Sequence, residues 1–449
     1  MAYDSESRCR DHKVFSPIGF SSQKKGRNLM SPMLVKAAIA GLAKGVAAIV
    51  GITLTALLAR VLGADEAGLF FLGLSLLMGL SVVFRLGLDD LVLRAMGAEY
   101  LSVACQSKLN TGLIWIVLAT VPFSLVTFLF ADAISVAVFK KPEFAVVLEY
   151  CMLALPATSL FMLLASAFQG VHRVVAVVVF QNLGVSVIFL TLFALLFILS
   201  PHSATAETAA SIYFFSAVLV LGFGLWLWFR QPQVQFIFPV IKNSEIWGSS
   251  SKMWLVNAMS VAAPYGGILI AGAYVQSQEL AYLVAAQRTA SLIAFVLVVV
   301  NTVVAPRYSR LWNEGDLPAI KRLAKNSTRA MLVLALPIVI AMVLFSGVIM
   351  RFFGAGFESG AGLLVIITVG QLINVATGSV SFLLNMTGHE RDMRNVTMFS
   401  GPVTIVCALW FIAMWGVLGA AYAIALGLTL HNLGALWMVR RRLGFYPLG

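Results

Sequence analysis

The feature that most constrains this chain is a succession of apolar stretches, each long enough to cross a lipid bilayer. A membrane-spanning helix needs about 20 predominantly apolar residues, and stretches of that kind recur between residues 33 and 440. They predict an all-α integral membrane protein. We expect about twelve transmembrane helices, near residues 33–60, 68–93, 109–131, 146–170, 174–199, 207–229, 253–276, 279–305, 329–351, 361–386, 394–415 and 417–440.

The composition agrees with a membrane as the solvent. Of the 449 residues, 60% are hydrophobic and 11% are charged, whereas soluble proteins carry about 25% charged residues. The net charge of +12 is spread between apolar runs and forms no basic face with interleaved aromatic residues, so we expect no nucleic-acid partner. The four cysteines are scattered singly, and no Walker or HExxH motif is present. We therefore expect no metal, no cofactor and no enzymatic activity.

The lysines and arginines predict how the chain is oriented in the membrane. If the N-terminus is cytoplasmic, the outer loops hold only Arg60, Lys140, Lys141 and Arg351, and the remaining loop cations lie inside. Cytoplasmic loops are enriched in lysine and arginine. This bias predicts an even number of helices with both termini in the cytoplasm.

The second half of the chain weakly repeats the first half. Four matches occur in order at equivalent places: Glu66 with Glu279, Pro122 with Pro337, residues 129–134 with 344–349, and residues 169–173 with 387–391. They predict two six-helix lobes. Because six is even, both lobes enter the membrane from the same side, and their pseudo-twofold axis is parallel to the membrane normal. Two lobes that rock about a central cavity are a basis for alternating access.

The spans and the repeat predict five segments. They are a disordered cytoplasmic tail (1–32), an N-terminal six-helix lobe (33–229), a cytoplasmic inter-lobe linker (230–252), a C-terminal six-helix lobe (253–440) and a second cytoplasmic tail (441–449).

Several short motifs resemble a known transporter family. They are Ala59-Arg60-Val61-Leu62-Gly63, Gly68-Leu69-Phe70, Leu86-Gly87-Leu88-Asp89 and, far along the chain, residues 416–421. This pattern resembles the polysaccharide transporter branch (O-antigen and exopolysaccharide flippases) of the multidrug/oligosaccharidyl-lipid/polysaccharide (MOP) exporter superfamily.

The resemblance implies a V-shaped pair of lobes in a bacterial inner (plasma) membrane. It also implies a flippase that carries polyprenyl-diphosphate-linked oligosaccharide from the cytoplasmic to the outer leaflet. The implied partners are that substrate and the membrane lipids, with polysaccharide polymerase and glycosyltransferases as further candidates.

Three cations lie deep within predicted spans, away from the span ends, where a charge costs about 2.5–3.5 kcal/mol on insertion scales. Lys44 lies eleven residues into the first helix, about 16 Å along its axis, and Arg288 reaches a similar depth in the second lobe. Both are predicted to bind the diphosphate of the substrate, because cations recognise phosphate. Arg85 lies nearer the cytoplasm, and we expect it to assist substrate binding at that mouth.

Three further charged residues are candidates for gating or ion pairing. Asp89 follows Arg85 by four residues, so the two side chains can form an ion pair on one helix face. Arg94 is expected to shape the cytoplasmic end of the second helix. Arg60 ends the first helix at the outer surface, where it can anchor the helix in the interface.

Two alternative functions stay open. An ion-coupled multidrug exporter of the same superfamily commonly carries a carboxylate on its first helix, but residues 33–60 contain no Asp or Glu. A non-transporting membrane scaffold for polysaccharide synthesis is the second alternative. The sign of Lys44 favours the flippase, because a cationic site attracts phosphate and repels cationic drugs.

Overall fold

The computed structural model describes residues 32–98, 100–173, 176–177, 179–200, 204–231, 234 and 244–448. For residues 32–44, 179, 182, 244–250 and 252 it describes the backbone alone. Across this part of the chain the regular structure is entirely helical. An all-helical chain suits a bilayer, because every backbone polar group is satisfied within its own segment.

The first eight helices form the N-terminal lobe. They are α1 (Pro32–Leu62), α2 (Ala64–Phe84), α3 (Leu88–Ala98), α4 (Val103–Leu129), α5 (Ala131–Ile134), α6 (Ala145–Gly170), α7 (Gly184–Leu199) and α8 (Ala206–Phe229).

The next eight helices form the C-terminal lobe. They are α9 (Ser244–Ser260), α10 (Gly267–Tyr274), α11 (Ser277–Asn313), α12 (Leu317–Leu344), α13 (Ser346–Arg351), α14 (Ala361–Ala376), α15 (Val380–Met386) and α16 (Glu390–Leu443).

The predicted number of spans is recovered. In the described residues, ten helices or joined helices are long and apolar enough to cross a membrane, and α7 is a shorter apolar helix. The longest of the ten, α16, is divided at Gly416, whose φ of 56° and ψ of −132° are not helical. Glycine adopts this conformation without a steric penalty. Counting α7 and both halves of α16 gives twelve, and the division falls between the predicted helices 394–415 and 417–440.

The predicted continuous helix over 68–93 is wrong. The helix α2 ends at Phe84, and α3 starts at Leu88 after two residues with positive φ, Leu86 (54°) and Gly87 (71°). Left-handed residues cannot continue a right-handed helix. The chain therefore turns at the end of α2, and α3 forms a separate helix of eleven residues.

The predicted helix over 253–276 is also interrupted. A π-helical turn at Ala262–Gly266 joins α9 to α10, and it contains Pro264. Proline has no N–H and cannot donate to the helical ladder. Separately, the carbonyl oxygen of Pro264 accepts a hydrogen bond from the Gln287 Nε2 at 2.7 Å. The helix α9 starts at Ser244, within the stretch that the sequence assigned to the linker.

The internal repeat is visible in local backbone geometry. The C-cap residue that follows α4 is Phe130, with φ −110° and ψ 18°, and the C-cap residue that follows α12 is Phe345, with φ −109° and ψ 22°. A short helix follows in both lobes, and then a 3-10 turn precedes α6 and α14. The sequence match of 169–173 with 387–391 is two residues out of register, because the C-cap residues that follow α6 and α15 are Val171 and Thr387.

The two lobes meet along α1, α2 and α11. Both α1 and α2 pack against α11, while α6 packs at the centre of the N-terminal lobe against α4 and α8. Gly45 lets α1 approach α11 closely, since a Cβ there would lie 2.6 Å from the Phe295 ring. Large apolar side chains such as Leu129, Ile198, Val333 and Leu344 lie exposed on the outside. Such an apolar surface is suited to lipid.

Candidate interlobe site

A cavity of about 490 Å³ lies between the two lobes. It is lined by α1, α2, α6, a π-helical turn at Val179–Leu183, α7 and α8 from one lobe, and by the π-helical turn at Ala262–Gly266 and α11 from the other. Its apolar wall includes Phe70, Phe71, Phe161, Phe180 and Phe189. Its polar groups include Thr55, Ser75, Gln181, Tyr213, Tyr265 and Arg288. A cavity that combines an apolar wall with several polar groups is suited to a small-molecule ligand.

Arg288 is the charged residue of this cavity. Among the described lining residues no other side chain is a lysine, an arginine or a carboxylate. Arg288 is exposed, and in the described part of the chain its guanidinium has no ion-pair or hydrogen-bond partner. A guanidinium carries five N–H donors. The cavity therefore presents a free cation with its donors available to an anionic ligand.

Lys44 lies in α1, and its side chain is outside the described residues. The backbone register of α1 nevertheless relates this position to the cavity. Residues three, four and seven apart share one face of a helix, and Ala47, Ala48 and Gly51 line the cavity. Position 44 is therefore on the helix face that borders the cavity.

Arg85 lies outside the lining of this cavity. Its Nε is 3.0 Å from the Asp89 Oδ2, so the predicted pair forms although the helix is broken between the two residues. The turn at Leu86 and Gly87, not a continuous helix face, brings the two side chains together. Burial raises the pKa of the Asp89 carboxyl, and the Arg85 guanidinium opposes that rise. The structure thus separates Arg85 from Arg288 and gives it a local partner.

Arg94 and Arg60 contact the opposite lobe at the two ends of the molecule. The Arg94 Nη2 lies 3.9 Å from the Glu390 Oε2 at the start of α16. The Arg60 Nε donates a hydrogen bond to the Phe352 carbonyl oxygen at 2.7 Å. Arg60 was expected to be an interfacial anchor or to gate; the structure places it as a hydrogen-bonded bridge between lobes.

Lys141 is an interlobe contact that the sequence did not identify. Its Nζ donates hydrogen bonds to the carbonyl oxygens of Gly272 at 2.7 Å and Val275 at 2.8 Å. These carbonyls lie at the C-terminal end of α10, where helical partners are missing and a cation is favoured. Burial lowers the pKa of Lys141, and the carboxylates of Glu143 and Glu279 act in the opposite direction.

A signal for Lys141 was present in the sequence. Lys140 and Lys141 stand together in a loop predicted to be outside, where lysines are depleted. A cation on the unfavoured side suggests a specific partner.

Gln181 is a second lining residue that the sequence did not assign to the site. A polar residue within a span more often bonds to a neighbouring helix. The sequence alone could therefore not place Gln181 at the cavity.

The end of the molecule that holds Arg94 has further interlobe contacts. The Trp254 Nε1 donates a hydrogen bond to the Val83 carbonyl oxygen at 2.8 Å, and the Asn257 Nδ2 lies 3.4 Å from the Asp90 Oδ2. Both contacts join α9 to the segment around the α2–α3 turn. The break of α2 thus positions residues of the N-terminal lobe against the C-terminal lobe.

Comparison with known proteins identifies the class to which this fold and cavity belong. Residues 33–312 match the family model described as polysaccharide biosynthesis protein, which is more than half of the chain. Residues 255–410 also match the MatE model. The chain therefore belongs to the polysaccharide biosynthesis protein family, and the predicted resemblance to the polysaccharide branch of the MOP superfamily is confirmed.

Individual relatives agree with that family and with the fold. The chain is 25% identical, over 83% of its length and 76% of the relative, to the probable low-salt glycan biosynthesis flippase Agl15 of Haloferax volcanii. It is similar to the lipid II flippase MurJ in an inward closed conformation, with a TM-score of 0.74, 15% identity and coverage of 90% and 87% of the two chains. An inward-facing multidrug resistance MATE family transporter of the MOP superfamily gives a TM-score of 0.70, 15% identity and coverage of 91% and 98%.

Proposed function

We propose that this protein is a flippase that moves polyprenyl-diphosphate-linked oligosaccharide from the cytoplasmic to the outer leaflet by alternating access. The observation that carries the proposal is the free guanidinium of Arg288 in a cavity between two lobes. A diphosphate in a partly dry cavity needs compensating charge, and the planar guanidinium can bind phosphate oxygens in a bidentate way.

Lys44 is the second phosphate ligand in this proposal. Its position along α1 matches the cavity-lining face, and no carboxylate lines the described part of the cavity to neutralise either cation. Two cations contributed by different lobes can hold one diphosphate only while the lobes stay close together. The glycan flippase activity in the name of the Haloferax volcanii relative supports a glycan-linked lipid as the substrate class.

The lysine and arginine bias supports an inner-membrane protein with both termini in the cytoplasm. In that orientation Arg60 and Lys141 lie at the outer end, and Arg94 lies at the cytoplasmic end. Arg85 and Asp89, at the cytoplasmic end of α2, are proposed to stabilise the mouth through their ion pair. Polymerase and glycosyltransferases are proposed partners that use or make the same lipid.

The multidrug exporter is the second candidate, and the MatE match over residues 255–410 favours it. The electrostatics of the cavity oppose it. A cationic drug would enter a cavity that holds Arg288 and, among its described lining residues, no acid to compensate the added charge.

The test uses cells that lack the chromosomal copy of this gene and express variants of the protein. Mass spectrometry of the polyprenyl lipids measures how much diphosphate-linked oligosaccharide accumulates. We expect Arg288→Ala to give at least tenfold more of this lipid than the wild type, with a further rise when Lys44→Ala is added. Arg288→Lys should fall between them, because it retains the charge but not the planar fork.

Arg307→Ala is the matched control, because Arg307 is exposed on the same helix and does not line the cavity. Its lipid pool should equal that of the wild type, and immunoblotting should show equal amounts of every variant. A deletion strain with a normal lipid pool would overturn the flippase. Altered sensitivity to cationic drugs in that strain would favour the exporter instead.

A further inference from the structure

A second pocket of about 340 Å³ lies inside the C-terminal lobe. It is enclosed by α9, the π-helical turn at Ala262–Gly266, α11, α14 and both halves of α16. Ser291 lines this pocket and the interlobe cavity, so the two spaces meet at one turn of α11. Within that turn Gln287 lines the pocket, and Arg288 lines the cavity.

The polar side chains of the pocket are neutral. No lysine, arginine or carboxylate is among its described lining residues. The groups that can hydrogen-bond a ligand include Gln287, Ser291, Gln371, Ser400, Thr404 and His431. A charged ligand would be left without compensation here, and such burial is costly.

Hydroxyl groups of the pocket already donate their protons to backbone carbonyl oxygens. The Ser291 Oγ donates to the Arg288 carbonyl oxygen at 2.6 Å, and the Thr404 Oγ1 donates to the Ser400 carbonyl oxygen at 2.7 Å. A hydroxyl that donates its single proton retains lone pairs as acceptors. The pocket therefore offers acceptors to a ligand that brings its own O–H or N–H donors.

Two amide side chains complete the pattern. The Gln287 Nε2 donates to the Pro264 carbonyl oxygen at 2.7 Å, which leaves its Oε1 as a further acceptor. The Oε1 of Gln371 accepts from the Asn374 Nδ2 at 3.0 Å, which leaves its Nε2 as a donor. Gln371 is 7% exposed, so this donor is directed within the lobe and not toward lipid.

The size and the chemistry of the pocket suit a sugar ring. Its volume is about ten times the roughly 30 Å³ that one water occupies in the liquid, which is far more than a bare cation needs. It lies within the range of about 300–1,000 Å³ for small-molecule sites. A sugar ring carries several hydroxyl groups, each a donor for the free lone pairs and an acceptor for an amide N–H.

We propose that this pocket binds the first sugar residue of the transported lipid while Arg288 holds the diphosphate. This inference rests on the proposed flippase function and adds a glycan subsite to it. The sugar is joined directly to the diphosphate, and the two subsites meet at Ser291. In this arrangement the neutral polar groups of the pocket select the sugar. Arg288 binds the diphosphate, which all such lipids share.

The experiment measures binding of two probes to purified protein in detergent by microscale thermophoresis. One probe is a polyprenyl diphosphate that carries a single N-acetylglucosamine, and the other is the same lipid without a sugar. We expect the wild type to bind the sugar-bearing probe more tightly. Gln371→Leu and Thr404→Val should each weaken binding of that probe about tenfold and leave the sugar-free probe unchanged.

Arg288→Ala should weaken both probes, and Gln169→Leu, at the exposed end of α6, should change neither. Melting temperatures of all variants check that they are folded. If Gln371→Leu does not fold, Thr404→Val still tests the subsite, because valine has nearly the same shape as threonine. Equal binding of both probes by the wild type, unaltered in Gln371→Leu and Thr404→Val, would overturn the sugar subsite while the flippase stands. Failure of the wild type to bind either probe would overturn the proposed function and the subsite with it.

Discussion

At the scale of single residues, the close approach of the two lobes depends on glycine, which has no side chain. Gly68 in the first turn of α2 lies against the backbone of Ser277 at the start of α11. A Cβ at position 68 would be 1.7 Å from the Ser277 carbonyl oxygen. Backbone atoms cannot move aside as a flexible side chain can, so the close contact of these helices requires glycine.

Gly68→Ala is therefore expected to force α2 away from α11 and to lower the melting temperature of the purified protein by several degrees. Gly222→Ala is the matched control, because a Cβ at position 222 in α8 meets nothing within 4 Å. Alanine also favours a helix over glycine by about 1 kcal/mol, so the control should melt no lower than the wild type. An unchanged melting temperature for Gly68→Ala would contradict the close contact of α2 with α11.

At the scale of helices, the C-terminal end of α10 is completed by the other lobe. Its last carbonyl groups have no partners within the helix, and the Lys141 ammonium supplies donors to two of them. Both bonds are lost if the lobes separate at this end. Lys141 therefore stabilises the conformation in which this end is closed.

Lys141→Met should open this end of the molecule more often. A cysteine introduced at Ala48, which lines the cavity, reports access in a background without the native cysteines. We expect a membrane-impermeant maleimide added from the Lys141 side to label Lys141→Met at least threefold faster than the parent. Lys140→Met is the matched control, because it removes the same charge from the neighbouring residue, which is exposed. Faster labelling in that control, or no change in Lys141→Met, would exclude the proposed role.

At the scale of the whole molecule, contacts bridge the lobes at both ends of the cavity, but with different strengths. At one end Arg60 and Lys141 form hydrogen bonds of 2.7–2.8 Å. At the opposite end one hydrogen bond is as short, from Trp254 to the Val83 carbonyl oxygen at 2.8 Å, and the Asn257–Asp90 contact is longer at 3.4 Å. The Arg94–Glu390 pair there is 3.9 Å long, with side chains 63% and 62% exposed. Exposed ion pairs contribute about 0–1 kcal/mol. We therefore expect the Arg94 end to open more readily than the Lys141 end.

Alternating access requires that the Arg94 end does open during transport. Cysteines at positions 94 and 390, in the same cysteine-free background, can be joined by a bismaleimide with a reducible spacer, which is long enough to replace the two long side chains that meet here. We expect the cross-linker to stop export of the lipid-linked oligosaccharide, measured by mass spectrometry, and a reductant that cleaves the spacer to restore it. Each single-cysteine variant should transport under both conditions. Transport by the cross-linked protein would contradict rocking of the lobes.

The number of spans and the existence of the repeat could be predicted because their causes are local. A bilayer requires long apolar helices wherever the chain crosses it, and Pro122 and Pro337 lie inside the matching helices α4 and α12. The pairing of Arg85 with Asp89 was also predicted, although from a continuous helix face, whereas the turn at Leu86 and Gly87 is what brings them together. The break between α2 and α3 was missed, because a hydropathy pattern carries no information on the positive φ of Leu86 and Gly87.

The amino-acid sequence alone predicted that this chain spans a membrane and about how many times, and it singled out Arg288 as a cation within an apolar helix. Which polar groups share a space depends on the tertiary structure. Arg85, Arg288 and Lys141 are all cations near apolar helices in the sequence. Docking of the two lobes leaves Arg288 free in the cavity and brings Lys141 to the end of α10, whereas Arg85 pairs with Asp89 within its own lobe. The physical reason is that hydropathy indicates which segments cross the membrane, whereas the partners of a residue depend on the local turns and on the facing lobe.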